Sequence, residues 1–228
     1  MIEQPCGDQS GLSAQDPRVI ANDWPWLCRY REANLAAQAA PPQVVFMGDS
    51  ITEGWGYSDA DFFVLGGSRN WSNRGISGQT SPQMLVRFWP DVIALRPKVV
   101  HIMGGTNDIA GNTGPNRPED FKNNICAMVA LAKANDIAVV LASIPPTNVF
   151  SWRPELQPAV RIAALNRWLK DFAASSGLVY ADYFAAMVVK DGAMNPDYTG
   201  DGVHPEAAGY AVMRPIAERA IAQALAGK

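Results

Sequence analysis

Residues 44–53 read Val-Val-Phe-Met-Gly-Asp-Ser-Ile-Thr-Glu, a short apolar run that ends in Gly-Asp-Ser. The apolar run lies between a Pro-Pro pair and Gly48, which predicts a short strand buried on both faces, as in a parallel sheet. Sheets of α/β proteins bind their ligands at the carboxyl ends of such strands, so Ser50 becomes a candidate functional residue. The alternative is that Asp49 or Ser50 only caps the helix that follows.

Short apolar runs alternate with amphipathic segments along the whole chain. Strands are predicted near 43–48, 70–76, 98–103, 137–142 and 178–180. Helices are predicted near 24–40, 81–92, 118–132, 158–174 and 205–225, with a kink or restart at Pro90. Residues 54–72 are predicted to form a loop with one short element. The alternation predicts an α/β fold in which one doubly wound, mostly parallel sheet lies between two layers of helices.

Composition and charge narrow the class of protein. The chain has 228 residues, of which 48% are hydrophobic and 18% charged, as expected for one globular domain. The net charge is −3 and no cluster of Lys or Arg stands out, which argues against binding to nucleic acid or to an anionic membrane. No apolar run is long enough to span a bilayer. We expect residues 1–22 to form a loosely held N-terminal arm and residues 23–228 a single domain.

The three cysteines, Cys6, Cys28 and Cys126, lack the spacing of metal ligands, and we expect neither a metal nor another cofactor. One Cys6–Cys28 bridge is conceivable, and the sequence leaves it open. The N-terminus lacks the charged and apolar regions of a secretory signal. The compartment stays open between the cytoplasm and, if a signal peptide has been removed, the periplasm or the outside of the cell. A homo-oligomer stays open as well.

A serine hydroxyl becomes a nucleophile only when a base removes its proton. The sequence offers two histidines, His101 and His204. His101 lies inside a predicted strand, where a satisfied core histidine is the favoured interpretation. His204 lies in a loop before a helix, three residues after Asp201, whose carboxylate could hold Nδ1 while Nε2 faces Ser50. The alternative is that Asp201 only makes a turn.

An acyl-transfer site also needs donors for the oxyanion that develops during the reaction. Gly78 lies in a glycine-rich turn, where a backbone N–H can approach a ligand closely. Asn107 offers a side-chain amide at the end of a predicted strand, although a turn or cap is the commoner role of asparagine. The Ser50 N–H, the Gly78 N–H and the Asn107 amide would together form a three-donor oxyanion hole.

Four stretches of the chain together resemble the four blocks of the SGNH, or GDSL, hydrolase superfamily. They are Gly48-Asp49-Ser50, Gly78 within 73–78, Asn107 within 104–108, and Asp201-x-x-His204, in the expected order over roughly residues 44–210. The chain is most similar to the branch that includes platelet-activating-factor acetylhydrolase α subunits and bacterial GDSL esterases. The resemblance implies a flavodoxin-like three-layer α/β/α sandwich. It also implies Ser50 as the nucleophile, His204 as the base and Asp201 as the carboxylate that orients it. Ser50, Gly78 and Asn107 become the oxyanion donors.

We therefore expect a serine esterase that hydrolyses small-molecule carboxylic esters through an acyl-enzyme on Ser50. Modest loops and the lack of a long apolar lid favour short acyl or acetyl groups. The alternatives are a thioesterase or lysophospholipase, a carbohydrate O-acetylesterase, and an inactive SGNH-fold binding module. Four aromatic residues in predicted loops are candidate substrate-binding residues that could favour aromatic esters or stack on a sugar: Trp55, Trp71, Phe150 and Trp152. Ordinary partial burial is the alternative for each of them.

Overall fold

The central sheet is all parallel in the computed structural model, which describes residues 5–63 and 70–227. Its five strands in these residues are β1 (Val44–Gly48), β2 (Trp71–Gly75), β3 (Val99–Met103), β4 (Ala138–Ala142) and β5 (Val179–Ala181). They lie in the order β2-β1-β3-β4-β5. The chain leaves β1 to one side and returns on the other, so the winding direction switches between β1 and β3. The predicted doubly wound α/β fold is confirmed.

Helices cover both faces of this sheet. In the described residues they are α1 (Pro17–Asn22), α2 (Arg31–Ala39), α3 (Ser50–Ser58), α4 (Ser81–Asp91), α5 (Thr106–Ala110), α6 (Pro118–Ala134), α7 (Pro158–Ser175), α8 (Tyr183–Met187) and α9 (Ala207–Ala226). Short 3₁₀ turns occur at Ala60–Phe63, Ile93–Leu95, Lys190–Gly192 and Pro196–Tyr198. One apolar core joins the sheet to α4, α6 and α7, and a second joins its other face to α3, α8 and α9.

The sequence of β1 explains these two cores. Successive side chains of a strand point to opposite faces of the sheet. Val45 and Met47 pack in the core of α4, α6 and α7, whereas Val44 and Phe46 pack in the core of α3, α8 and α9. All four side chains are fully buried. A strand covered on both faces needs an apolar residue at every position, which is why the run is continuous rather than alternating.

The predicted helix at 24–40 is wrong in its first half. Helix α2 begins only at Arg31, and residues 24–30 form turns. The side chain of Asp23 accepts hydrogen bonds from the backbone N–H groups of Leu27 and Cys28, both at 2.8 Å. Trp26 has a φ of +53°, which a right-handed helix does not allow. Local hydrogen bonding from an aspartate has here replaced the helical ladder.

Two further expectations concern the ends of α3 and α4. Residues 54–58 were expected in a loop but continue α3, because the turn that carries Trp55 is buried against the sheet. Residues 64–69 of the same expected loop lie outside the described residues. Helix α4 ends at Asp91, one residue after Pro90, which confirms the predicted interruption.

The N-terminal residues are tied to the rest of the chain. A disulfide joins Cys6 to Cys28. Ala14 and Val19 pack in a small apolar cluster with Trp26 and with Ile76, which follows β2. The division into an arm over 1–22 and a domain over 23–228 stays a prediction.

Candidate active site

Ser50 lies where the carboxyl end of β1 turns into α3, of which it is the first residue. The side chain of Asp49 caps this helix by accepting a hydrogen bond from the Ile51 N–H at 3.0 Å. A Cβ on Gly48 would lie 2.0 Å from the Thr52 hydroxyl oxygen and 2.7 Å from the carbonyl oxygen of Met103. Glycine therefore lets the helix start directly over the strand ends. The capping interpretation holds for Asp49, and it leaves the Ser50 hydroxyl free for another role.

The Ser50 hydroxyl belongs to a chain of hydrogen bonds with His204 and Asp201. Ser50 Oγ lies 3.0 Å from His204 Nε2, and His204 Nδ1 lies 2.7 Å from Asp201 Oδ2. Ser50 and His204 are 154 positions apart, so only the fold brings them together. This is the arrangement in which an imidazole accepts the serine proton while a carboxylate holds the other ring nitrogen.

Asp201 is held by its own loop. Its Oδ1 accepts hydrogen bonds from the backbone N–H groups of Val203 and His204, both at 2.8 Å, and from the Thr199 hydroxyl at 3.2 Å. Partial burial acts to raise the pKa of Asp201, but the hydrogen bonds from His204 and Val203 outweigh it and lower the pKa to about 2. The carboxylate therefore stays ionised throughout the neutral range, as a group that orients and stabilises an imidazolium must be.

Gly78 lies in a turn, two residues after Ile76, whose N–H donates to the carbonyl oxygen of Gly48 at 3.2 Å. This bond ties the turn to the end of β1, immediately before Ser50. The φ of Gly78 is +78°, a backbone conformation that residues other than glycine rarely adopt. The residue therefore serves backbone geometry, as expected for a main-chain donor.

Asn107 is buried near the start of α5, at the end of β3. Its Nδ2 donates a hydrogen bond to the carbonyl oxygen of Gln79 at 3.0 Å. This bond uses one of the two hydrogens of the amide group. Its Oδ1 accepts a hydrogen bond from Asn112 Nδ2 at 2.8 Å. These two bonds fix the plane of the amide beside the turn that holds Gly78. Asn107 is therefore both a structural residue and a candidate donor.

Sequence reasoning missed the group that organises the strand ends beneath the site, the guanidinium of Arg87. This side chain is completely buried and donates to the carbonyl oxygens of Gly48 at 2.8 Å and Arg74 at 2.7 Å. It also pairs with Asp91 Oδ2 at 2.8 Å and donates to the side chain of Gln79. A signal was present, because Arg87 shares the buried face of the predicted helix with Met84, Phe88 and Asp91.

The other histidine belongs to the core. His101 Nε2 bonds the Tyr183 hydroxyl at 2.8 Å, and the ring stacks on Phe46 with centroids 4.6 Å apart. Burial lowers the pKa of His101 to about 3, so the ring is neutral. Its Nδ1 has no hydrogen-bond partner among the described residues. The interpretation as a core residue is confirmed, although the ring is only half satisfied.

Two of the candidate substrate-binding aromatics are wrong because they belong to the core. Trp55 lies in α3, fully buried, and stacks on Phe62 with centroids 4.6 Å apart. Trp71 is the first residue of β2 and is 6% exposed. The polar and glycine-rich neighbours of both residues predicted a loop. Both rings lie in the second core instead, because burying their apolar surface there stabilises the fold.

The remaining two aromatics lie in the predicted loop over 143–157 and stack on one another. Phe150 is fully buried, which corrects its assignment as a substrate contact, and its ring centroid lies 5.0 Å from that of Trp152. Trp152 is 42% exposed and its indole N–H donates to Asn112 Oδ1 at 3.3 Å. Because Asn112 also holds Asn107, Trp152 is the one of the four that the structure places next to the candidate site.

Within residues 5–63 and 70–227, no group of three or more His, Cys, Asp or Glu side chains could hold a metal ion. No helix in the same ranges is long and apolar enough to cross a bilayer.

Comparisons with known proteins agree with this geometry. Residues 46–212 match the GDSL-like lipase/acylhydrolase family, about three quarters of the chain. The crystal structure of a candidate acylhydrolase from Bacteroides fragilis NCTC 9343 is 45% identical, with a TM-score of 0.84 over 89% of this chain and 99% of that one. A GDSL-like lipase from Bacteroides thetaiotaomicron VPI-5482 is 42% identical, with a TM-score of 0.82 over 88% and 99% of the two chains.

Two more distant relatives carry less information. The acetylxylan esterase Axe2 from Geobacillus stearothermophilus is 20% identical, with a TM-score of 0.62 over 78% of this chain and 93% of that one, which shows a shared fold alone. The uncharacterized lipoprotein YqeF of Bacillus subtilis (strain 168) is 34% identical over 117 residues, or 45% of this chain. The aligned part spans about half the length of that protein, 48%.

The family match includes Ser50, which follows β1, and the loop that carries Asp201 and His204. A serine nucleophile, a triad and an oxyanion hole are typical of that family. The resemblance stated from the four sequence blocks is therefore confirmed: the chain belongs to the GDSL-like lipase/acylhydrolase family and is an ester hydrolase.

Proposed function

We propose that this chain is a serine esterase that cleaves small carboxylic esters through an acyl-enzyme on Ser50. The observation that carries the proposal is the unbroken chain of hydrogen bonds from Ser50 Oγ through His204 to Asp201, at 3.0 and 2.7 Å. Both distances are those of direct hydrogen bonds, so the proton can pass without rearrangement of the side chains.

The reaction follows from the position of each group. His204 Nε2 takes the Ser50 proton as Oγ attacks the carbonyl carbon of the ester. The oxyanion is held by the N–H groups of Ser50 and Gly78 and by the Asn107 amide. When the tetrahedral species collapses, the C–O bond to the alcohol breaks, and the alcohol oxygen takes the proton from His204. Water then attacks the acyl-enzyme, gives its proton to His204, and releases the acid as Ser50 Oγ is reprotonated.

Asp201 contributes without exchanging a proton. Its pKa of about 2 keeps it ionised, so it stabilises the imidazolium that forms in both halves of the cycle. Its bond to Nδ1 also fixes the tautomer in which Nε2 is the basic nitrogen.

The substrate is proposed to be an ester with a short acyl group, because the loops between strands and helices are modest in size. A carbohydrate O-acetylesterase is the second candidate. The exposed indole of Trp152 beside the Asn112 amide favours it, since a flat apolar ring with a neighbouring amide suits the face and hydroxyls of a sugar. No comparable feature of the described residues favours a thioesterase or a lysophospholipase.

A test of the nucleophile uses Ser50→Ala and a control in the same helix, Ser58→Ala. Ser58 is exposed at the last turn of α3, so its hydroxyl can be removed without touching the site. Ser50→Ala should fold and lose hydrolysis of p-nitrophenyl acetate, whereas Ser58→Ala should keep it. Mass spectrometry after fluorophosphonate treatment should find the adduct on Ser50. An adduct on another serine, or an active Ser50→Ala protein, would overturn the mechanism.

The substrate class is tested separately with the unmodified enzyme. Acetyl, butyryl and octanoyl p-nitrophenyl esters, an acyl-CoA, a lysolipid and an acetylated xylo-oligosaccharide should be compared by kcat/KM. The proposal predicts the highest values for acetyl or butyryl esters. A preference for the octanoyl ester or the lysolipid would contradict a short acyl group.

A further inference from the structure

The turn that carries Gly78 is held from outside the region that matches the family. That region begins at residue 46, yet the segment before it forms several hydrogen bonds to residues 75–83. The amide of Gln79 donates to the carbonyl oxygen of Pro25 at 2.7 Å, and that of Gln83 donates to the carbonyl oxygen of Trp24 at 2.8 Å. The Tyr30 hydroxyl donates to the carbonyl oxygen of Gly75. The N-terminal segment is thus hydrogen-bonded to residues on both sides of this turn.

A further hydrogen bond from the N-terminal segment reaches the Ser77–Gly78 peptide, which carries the proposed oxyanion donor. Gln15 Nε2 donates to the carbonyl oxygen of Ser77 at 3.2 Å. That oxygen and the Gly78 N–H belong to the same planar peptide group, so fixing one end fixes the other. The amide of Gln15 lies so close over Gly78 that a Cβ there would be 1.6 Å from Gln15 Nε2. The side chain therefore covers the turn on the side where a residue larger than glycine would project.

The amino side of Ser77 is held as well. Its N–H donates to Glu53 Oε2 at 2.8 Å, and the other carboxylate oxygen, Oε1, pairs with Arg29 Nη2 at 3.0 Å. Ser77 is therefore hydrogen-bonded at its N–H to Glu53 and at its C=O to Gln15. The first bond fixes the Ile76–Ser77 peptide and the second fixes the Ser77–Gly78 peptide, so together they restrain rotation about φ and ψ of Ser77. The second bond also restrains rotation about φ of Gly78, which a glycine would otherwise allow at little energetic cost.

We propose that Gln15 is a positioning residue of the oxyanion hole: by donating to the Ser77 carbonyl oxygen it holds the Ser77–Gly78 peptide with its N–H directed at the substrate oxygen. The proposal rests on the esterase mechanism given above. A hydrogen bond at the C=O end also polarises a peptide group, so the Gly78 N–H becomes a stronger donor. Gln15 itself does not need to touch the substrate for either effect.

The same segment borders the approach to the turn. A cleft of about 570 Å³ is lined by Gln15 and Trp24 from the N-terminal segment, by Asn112 and Trp152 from the opposite side, and by Gly78. This volume is in the range of small-molecule binding sites. The Cys6–Cys28 disulfide closes a loop of chain that contains Gln15 and Trp24, which limits how far the segment can move from the turn. A ligand in this cleft would contact the N-terminal segment as well as Gly78.

The test compares Gln15→Met with Gln15→Lys. Methionine keeps the length of the side chain but cannot donate, whereas the lysine ammonium can still donate to the Ser77 carbonyl oxygen. Gln15→Met should lower kcat by about 3- to 10-fold with little change in KM, the effect of one oriented hydrogen bond that acts in the transition state. The rate of fluorophosphonate labelling at Ser50 should fall by a similar factor. Gln15→Lys should recover most of kcat.

The control is Gln38→Met, which removes an exposed glutamine from α2 and should leave kcat unchanged. Melting temperatures of all variants should be measured alongside the kinetics. Unchanged kcat and labelling rate in Gln15→Met would overturn the positioning role, and so would equal losses in the Met and Lys variants. Failure of the esterase mechanism has a different signature, because the fluorophosphonate adduct would then be missing from Ser50 in the unmodified protein.

Discussion

The two sides of the candidate site are built in different ways. The loop that follows Tyr198 supplies His204 and Asp201, and its geometry is made by hydrogen bonds among residues 199–204 themselves. The side chains of His204 and Asp201 are 41% and 50% exposed. The sheet edge supplies Ser50 and Asn107, and it is held by buried bonds between distant parts of the chain, such as the one from Arg87 to the Gly48 carbonyl oxygen.

The difference separates activity from stability. The side chains of His204 and Asp201 are about half exposed, so a change of either should affect the reaction far more than the free energy of unfolding. The sheet edge lies above both cores, and the buried side chains of Arg87 and Asn107 donate hydrogen bonds to backbone carbonyl oxygens there. A change there should lower both activity and stability, because it leaves a buried partner without its hydrogen bond. Substitutions of Asp201 in the loop and of Asn107 and Asp49 at the sheet edge test this contrast.

The largest effect is expected for Asp201→Asn in the loop. Asparagine can still accept the backbone hydrogen bonds through its oxygen, but its NH2 group then faces His204 Nδ1 and can neither accept a hydrogen bond from it nor stabilise an imidazolium. We expect kcat to fall by about 10³- to 10⁴-fold, as in other serine hydrolase triads that lose this carboxylate. The melting temperature at neutral pH should change little.

The matched control for this substitution is Asp197→Asn, an exposed aspartate four positions earlier, which should keep full activity. Kinetics with p-nitrophenyl acetate and thermal melting of both variants provide the measurement. A large loss of stability in Asp201→Asn would mean that the loop supports the fold, which contradicts the contrast between the two sides.

A smaller loss of activity, together with a loss of stability, is expected for Asn107→Ala at the sheet edge. Sequence reasoning treated oxyanion donor and structural residue as alternatives, but the buried bonds to Gln79 and Asn112 make both roles available. Loss of a transition-state donor should lower kcat by about 10²- to 10³-fold with KM nearly unchanged. Loss of the buried bonds should also lower the free energy of unfolding by about 1–3 kcal/mol.

Asn112→Ala divides the two roles of Asn107, because it removes a bond that orients the Asn107 amide and leaves the Asn107 side chain in place. It also removes the acceptor of the Trp152 indole N–H. It should cost stability with a much smaller loss of kcat. Urea unfolding and steady-state kinetics of the two variants should be compared. Equal kcat losses in both variants would indicate that Asn107 acts through the structure of α5 and not as a donor.

Sequence could predict the parts of the site that are local. Asp201 and His204 lie three positions apart in one loop, so a single short segment is enough to predict that they pair. Ser50 and Asn107 directly follow apolar runs, and the rule that parallel strands end at one edge brings them together. Each of these inferences needs only the strand pattern and a local spacing.

The parts that sequence could not predict depend on packing between distant segments. Nothing near Gln15 indicates that it reaches Ser77, since 62 positions separate them. Trp55 was expected near the surface because its neighbours are polar and small, but one turn of α3 carries its ring into the core against Phe62 and Tyr210. Such contacts follow from the docking of whole helices, which a local pattern does not contain.

The smallest effect concerns two aspartates in opposite environments, Asp49 beside Ser50 and Asp201 of the proposed triad. Asp49 is 1% exposed; its Oδ1 accepts from Ile51 N–H, and its Oδ2 has no hydrogen-bond partner among the described residues. Burial raises the pKa of Asp49 to about 6, although the nearby Ile51 N–H and the charge of His204 act against it. For Asp201 the balance runs the other way, and its pKa lies near 2.

The sign of the pH dependence follows from these two values. Unfolded aspartate releases its proton near pH 3.8, so between pH 3.8 and about 6 the folded chain keeps a proton on Asp49 that the unfolded chain has lost. Stability from this group therefore falls as the pH rises through that window and stays lower above it, by about 2–3 kcal/mol. The contribution of Asp201 is present above pH 3.8 and is lost as the pH falls toward 2.

Asp49→Asn should remove the cost of the buried charge while its oxygen still caps α3. Relative to the unmodified protein, the variant should gain stability at about pH 8 and gain little at about pH 4, where both side chains are neutral. Asp201→Asn should show no such difference, because the half-exposed Asp201 carboxylate keeps its small contribution at both pH values and loses it only as the pH falls toward 2. Urea unfolding of the three proteins at the two pH values tests both expectations. If Asp49→Asn were less stable than the unmodified protein at pH 8, the Asp49 carboxylate would have to be satisfied by a partner, and the sheet edge would tolerate charge as well as the loop does.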